Sequence, residues 1–254
     1  MATAKPKAKT ADKPAVPSGE SAAAIVKELK ALGSESYATL MKKHGLRDPI
    51  FGVKISELKK IQKRVKRDYQ LALDLYATGI YDAMYLAGLI ADDKRMTKAD
   101  LQRWADGAYS SSIGNYAVAW VAAQGNHGYE VALKWIESKK PPIASAGWAT
   151  LGGLVALRDD SEWEAGVLKN LLQRVETTIH AQPDDVRYTM NGFVISVGTY
   201  AKALTADAIK TAKAIGVVKV DMGDTECTVP SAADYIKKAQ TRGVVGKKRK
   251  MVKC

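Results

Sequence analysis

The chain has 254 residues, 46% of them hydrophobic, a mean hydropathy of −0.20 and a formal charge of +12. That profile fits a soluble protein long enough to bury a sizeable core. Two cysteines (Cys227, Cys254) give no disulfide framework, three scattered histidines (His44, His127, His180) give no metal-ligand spacing, and no apolar run reaches the roughly 18 residues of a membrane span.

The charge sits mostly at the ends. Residues 1–17 carry +3 and residues 242–254 carry +6, which leaves +3 of the total for everything between. Residues 1–19 read as a disordered Lys/Ala/Pro arm with no apolar stretch, so no secretory signal is expected and a reducing cytoplasm is the expected compartment. Helical signals follow from residue 20 to about 240. SAAAIVKELKALG (21–33) and ESYATLMKKHG (35–45) each stop at a glycine. Asp48-Pro49 then turns the chain into FGVKISELKKIQKRVKR (51–67). Here Ile55, Leu58, Ile61 and Val65 form one apolar stripe, and Lys59, Lys60, Lys63, Arg64 and Arg67 fall largely on the other side. Only Glu57 and Asp68 flank this run. It reads either as a solvated surface helix or as a surface facing a polyanion, and the scarcity of acids favours the second.

Further helices are predicted at 68–79, 81–93, 97–108, 113–124, 129–139, 142–157, 161–181, 185–202 and 205–215, and the VVKV run at 217–220 reads as loop. Capping boxes are expected at Thr97/Asp100, Ser161/Glu164 and Ser231/Asp234. Most of the aromatic residues, among them Tyr109, Tyr116, Trp120, Trp135, Trp163 and Tyr188, stand at helical spacing among alanines and valines, which points to core packing. Trp148, beside Ser145 and Gly147, is the candidate groove residue. Ser110, Ser111 and Ser112 suit a helix cap or a phosphate contact. The acidic stretch from Asp221 to Glu226 has no EF-hand spacing and reads as a structured loop. Arg242 to Cys254 reads as a flexible basic tail, with Lys247, Lys248, Arg249 and Lys250 gripping phosphates without reading sequence. Successive helices with short connections predict an all-α fold, and the spacing of the pairs suits a HEAT-like repeat solenoid.

At FGVKISELKKIQK, then LALDLYATGIYDAMYLAGLIAD and TKADLQRWAD, the sequence resembles the DNA alkylation repair family, the AlkD-like HEAT-repeat alkylpurine DNA glycosylases. The resemblance runs from about residue 35 to 205. It implies a right-handed superhelix of antiparallel helix pairs whose basic inner face cradles duplex DNA, and excision of cationic alkylated purines without flipping the base into a pocket. That chemistry needs a carboxylate to stabilise an oxocarbenium-like sugar, and aromatic faces to hold the cationic base.

The family's aromatic position falls on Ser111 and its aspartate on Asn115. A DNA-backbone arginine falls near Ala146 and a second tryptophan near Ile195, with Trp148, Phe193 and Tyr200 close by. No carboxylate lies between Tyr109 and Gln124. The expectation is therefore a monomeric duplex-DNA binder without the family's glycosylase residues, needing neither metal nor cofactor. Two alternatives stay open. One is an active glycosylase working through displaced residues such as Trp148, Tyr109 or Asp106; the other is a HEAT-type scaffold for a protein partner.

Overall fold

The computed structural model describes residues 18–223, 225 and 227–253. The arm at 1–17, Asp224, Glu226 and Cys254 lie outside the described residues. Among those described there are thirteen α-helices and no strand. They are α1 (Ala22–Leu32), α2 (Glu35–Lys43), α3 (Ile55–Val65), α4 (Tyr69–Ala77), α5 (Tyr81–Ile90), α6 (Lys98–Gly107), α7 (Ala119–Gln124), α8 (Gly128–Trp135), α9 (Pro141–Leu157), α10 (Val167–Thr178), α11 (Asp184–Tyr200), α12 (Thr205–Ile215) and α13 (Ala232–Thr241).

Local chemistry sets most of the boundaries. Thr97 and Asp100 form the expected reciprocal capping box, and Ser231 Oγ accepts from the Asp234 amide at 3.3 Å. Two expectations are corrected. The helix anticipated at 161–181 is shorter, because Gly166 adopts a left-handed φ of 82° and starts α10 only at Val167. The box upstream of it joins Asp159 to Glu162 around a 3₁₀ turn, not Ser161 to Glu164. The helix anticipated at 113–124 is not uniform either. Ile113–Val118 is wound as a π-helix before α7 begins.

The helices form two layers. One row runs α5, the π-helical segment with α7, α9, then α11, each packing on the next, and α13 closes it against α11. α4, α8 and α12 pack on this row from the other side, and α10 packs on α11 and α12. The row is deeply buried: every residue of α5 is buried, as are twelve of the seventeen in α9. Two contiguous cores result, one from Ile25 to Ala146 and one from Ala123 to Ile236. Asp82, 1% exposed, pins the turn into α3 by accepting from the Phe51 and Val53 amides at 2.6 and 2.8 Å.

The C-terminal segment is a strap and not the free tail expected from its composition. Leaving α13, it runs across the C-terminal ends of the inner row in reverse order. The Gly246 amide reaches Thr199 O at 2.8 Å at the end of α11, and the Arg249 amide reaches Ala156 O at 2.8 Å at the end of α9. Lys248 Nζ binds Val155 O at 3.0 Å and Asp160 at 2.7 Å. The Val252 amide takes Gln124 Oε1 at the end of α7, and Lys253 Nζ takes Ala91 O just past α5 and Asp93 at 2.7 Å. Helix C-termini present unsatisfied carbonyls and partial negative charge, so a basic strand is the complementary closure. The side chain of Val252 packs on both cores. Burial pushes the Lys253 ammonium down and the Asp93 carboxyl up, and each opposes that shift in the other.

Candidate nucleic-acid interface

The site begins at the π-helical segment. Ser110 Oγ caps its start by accepting from the Ile113 amide at 3.3 Å. The segment presses against α5 at Gly88, where a Cβ would stand 2.6 Å from Ala117 Cβ and 2.7 Å from its Cα. Only a glycine admits that approach. π turns are uncommon and recur at functional sites, because the widened turn re-aims side chains out of the regular helical stripe. Asn115 and Tyr116 lie in this segment and line the concavities it borders.

Asn115 is tied to two other helices. Ser145 Oγ on α9 lies 2.8 Å from Asn115 Oδ1, 2.9 Å from the Asp185 carbonyl and 3.3 Å from Thr189 Oγ1 on α11. Ser111 Oγ donates to the Asp185 carboxylate at 2.8 Å. Burying Ser145 is tolerable because its hydroxyl has three partner atoms, on the π segment and on α11. This polar knot fixes the π segment, α9 and α11 relative to one another.

From the knot a cleft of about 580 Å³ opens along α9, α11, α13 and the strap. A second concavity of about 480 Å³ adjoins it and shares Asn115, Tyr116 and Tyr188. Its rim is formed by His44, the Ser110–Ser112 triplet, Asp185 and the loop at 220–223. That loop is held where the Asp221 amide donates to Asp184 at 2.6 Å, which, despite partial desolvation, keeps the Asp184 carboxyl below its ordinary range. Tyr116 and Tyr235 line the larger cleft 42% and 50% exposed, with half-buried Tyr188 between them. Burial raises the Tyr188 hydroxyl, and the neighbouring hydroxyls of Tyr116 and Tyr235 raise it further. α13 is seated closely enough to complete this wall because Gly198 on α11 has no side chain, and a Cβ there would meet Ile236 Cδ1 at 2.4 Å. Lys238, Arg242 and Arg249 supply the cationic lining, and none of the three makes an ion pair among the described residues.

The structure brings some of the expected residues together. Asn115, Trp148, Ile195 and Arg249 line the larger cleft, and Ser111 lines the adjoining one. Trp148 lies in the groove but as part of its floor rather than as an open ring: it is 1% exposed and packs edge-on against Phe193 with centroids 5.3 Å apart. The basic helix is less free than its sequence implied. Arg64 is clasped by Glu20 and Glu28 of the α1 region at 2.9 and 2.6 Å, hydrogen bonds that raise its pKa further, and Lys60 pairs with Glu57 at 2.8 Å.

Lys59, Lys60, Lys63, Arg64 and Arg67 do not line the cleft, nor do Lys247, Lys248 and Lys250. Asp106 pairs with Lys140 at 3.7 Å, and half-buried Tyr109, its hydroxyl pushed up to about 12 chiefly by burial, faces neither concavity. Sequence reasoning missed Asp185, Tyr235, Lys238 and Arg242 as cleft residues, and it assigned Tyr116 and Tyr188 to the core although both line the cleft, Tyr116 as an exposed residue of the π segment. Nothing in the sequence signalled Asp185, because its relation to Ser111 spans 74 residues. The i,i+3 pairing of Tyr235 with Lys238 was readable, and in the structure the ammonium lies 5.8 Å from the ring centroid.

The profile of a family described as DNA alkylation repair enzyme matches residues 25–236. The uncharacterized protein Lin0241 of Listeria innocua is 32% identical over 221 residues, covering 85% of this chain and 95% of that protein. The uncharacterized protein Lmo0209 of Listeria monocytogenes is 31% identical over the same length and the same shares. A solved structure is similar with a TM-score of 0.85 and 36% identity, covering 92% of this chain and all of the other. It is described as a new family of proteins related to the HEAT-like repeat DNA glycosylases with affinity for branched DNA structures.

Proposed function

The chain belongs to the DNA alkylation repair enzyme family, and from that premise we propose that it is a DNA-binding protein acting on branched or distorted duplexes and not on alkylated bases. The observation that carries this reading is the cleft itself. Asn115, at the position where the family's carboxylate is expected, lines it together with exposed tyrosines and three cations that make no ion pair among the described residues. Cations without acid partners suit phosphates, and the neutral amide lacks the charge that stabilises a developing oxocarbenium ion. The related protein with affinity for branched DNA supports the choice of DNA form. On this reading the protein works as a cytoplasmic monomer with no metal or cofactor, and duplex arms flank the bound branch.

One observation favours a second reading. The Asp185 carboxylate lies beside Ser111 in the same concavity as Asn115, so a carboxylate from another helix stands near the vacated position. Two assays on the same oligonucleotides separate the readings. The first measures affinity for a four-way junction against linear duplex, and the second measures release of N3- and N7-alkylpurines. We expect preferential junction binding with base release at background. Robust release that is lost in Asp185→Asn would establish the glycosylase instead.

A further inference from the structure

We propose that the larger cleft takes one unpaired nucleotide of the bound DNA, its base stacked on tyrosine and its phosphate held by the strap and α13. This rests on the DNA-binding reading above and adds what within the DNA is recognised. The cleft volume of about 580 Å³ lies within the range of roughly 300–1,000 Å³ typical of sites that enclose a small ligand. A duplex is far too wide to enter such a space, whereas a single nucleotide can.

The lining matches the two ends of a nucleotide. Tyr116 and Tyr235 line the cleft and leave about half of their surface exposed, which is unusual for rings that would pack readily in a core. Tyr116 is braced by a neighbouring ring: its centroid lies 5.4 Å from Trp120, which in turn packs edge-on against buried Tyr85 at 5.6 Å. A ring so supported is a fixed platform, and stacking on it loses little further side-chain freedom. Arg242 and Arg249 approach the same space from the end of α13 and from the strap. A base paired within a helix hides both faces in its neighbours. A base at a branch point, bulge or gap offers a free face, and protein aromatic rings capture such bases with little sequence preference.

The test uses the full chain with duplexes carrying 2-aminopurine either fully paired or as a single unpaired base, read by affinity and by fluorescence. On binding, the unpaired probe should be quenched and the paired probe should not, and unpaired DNA should bind more tightly. Tyr116→Ala and Tyr235→Ala should each cut the preference for unpaired over paired DNA roughly 5- to 150-fold, the range for loss of one stacked base. Tyr116→Phe, which keeps the ring, should retain quenching and preference; this distinguishes stacking from a general loss of fold. Binding of both DNAs with equal affinity and no quenching overturns this proposal while leaving the DNA-binding reading intact. Failure to bind any DNA overturns both. A free deoxynucleoside monophosphate bound as tightly as unpaired DNA would reassign the cleft to a small ligand, and overturn it too.

Discussion

Two basic regions stand out in this chain, and folding treats them oppositely. α3 carries its cations in one dense run, yet the fold brings Glu20 and Glu28 against Arg64 and leaves Glu57 on Lys60. At the C-terminus the cations divide. Lys248 and Lys253 are spent on helix-end carbonyls and on Asp160 and Asp93, while Arg242 and Arg249 turn to the cleft beside Tyr235 and Lys238. Local density of charge therefore says little about where a polyanion binds. What matters is whether the fold gathers unpaired cations along a concave surface, and that is a long-range property. Lys59 and Lys63 of α3 also make no ion pair among the described residues, but they line neither concavity.

The comparison can be broken first at the strap. Lys253→Ala leaves the Asp93 carboxylate buried without its cation, a loss on the order of 3–5 kcal/mol. Thermal unfolding should shift down by roughly 6–20 °C for a chain of this size. An unchanged midpoint would mean that the strap does not hold the cleft wall. Next in size, Gly88→Ala drives a methyl into the backbone at Ala117, and overpacking of this kind costs about 1–3 kcal/mol. Because Ala117 lies beside Tyr116, junction affinity should fall together with stability. Retained affinity would show that the π segment does not set the site.

A smaller effect is expected at the start of α6, whose capping residues line neither concavity. Asp100 is partly desolvated, but hydrogen bonds from Thr97 and Tyr69 outweigh that and hold its carboxyl below the ordinary range. A depressed folded-state pKa means that the stabilisation is present above the unfolded value near 4 and is lost as pH falls through the folded one. Thr97→Ala should cost about 1 kcal/mol at neutral pH, and less in acid, without changing junction affinity. Urea titrations at pH 7 and pH 3 would check it.

Much of the fold was legible in the sequence, because helices declare themselves locally. Thr97/Asp100 and Ser231/Asp234 mark helix starts within four residues, and the stripe Ile55, Leu58, Ile61, Val65 gives the buried face of α3 directly. The site was legible only in part. The family resemblance led to Asn115 and Ile195, which the fold does bring into one cleft. It could not show that Ser111 meets Asp185, or that the tail threads past α11, α9, α7 and α5 in turn. Both depend on contacts across tens of residues with no periodic signature. The π turns at 113–118 were hidden for a different reason: their apolar residues also fit an ordinary helix, and it is packing on Gly88 that places them.

The central claim is that DNA lies on the cleft and not on α3, and the salt dependence of junction affinity tests it most directly. Each phosphate contact removed should flatten the plot of log affinity against log salt by about 0.9. The double substitution Arg242→Gln with Arg249→Gln should therefore lower the slope by nearly two and weaken binding at every salt concentration, while Lys59→Gln with Lys63→Gln should give a line close to that of the unaltered protein. A parent-like line from the cleft pair and a flattened one from the α3 pair would contradict the account.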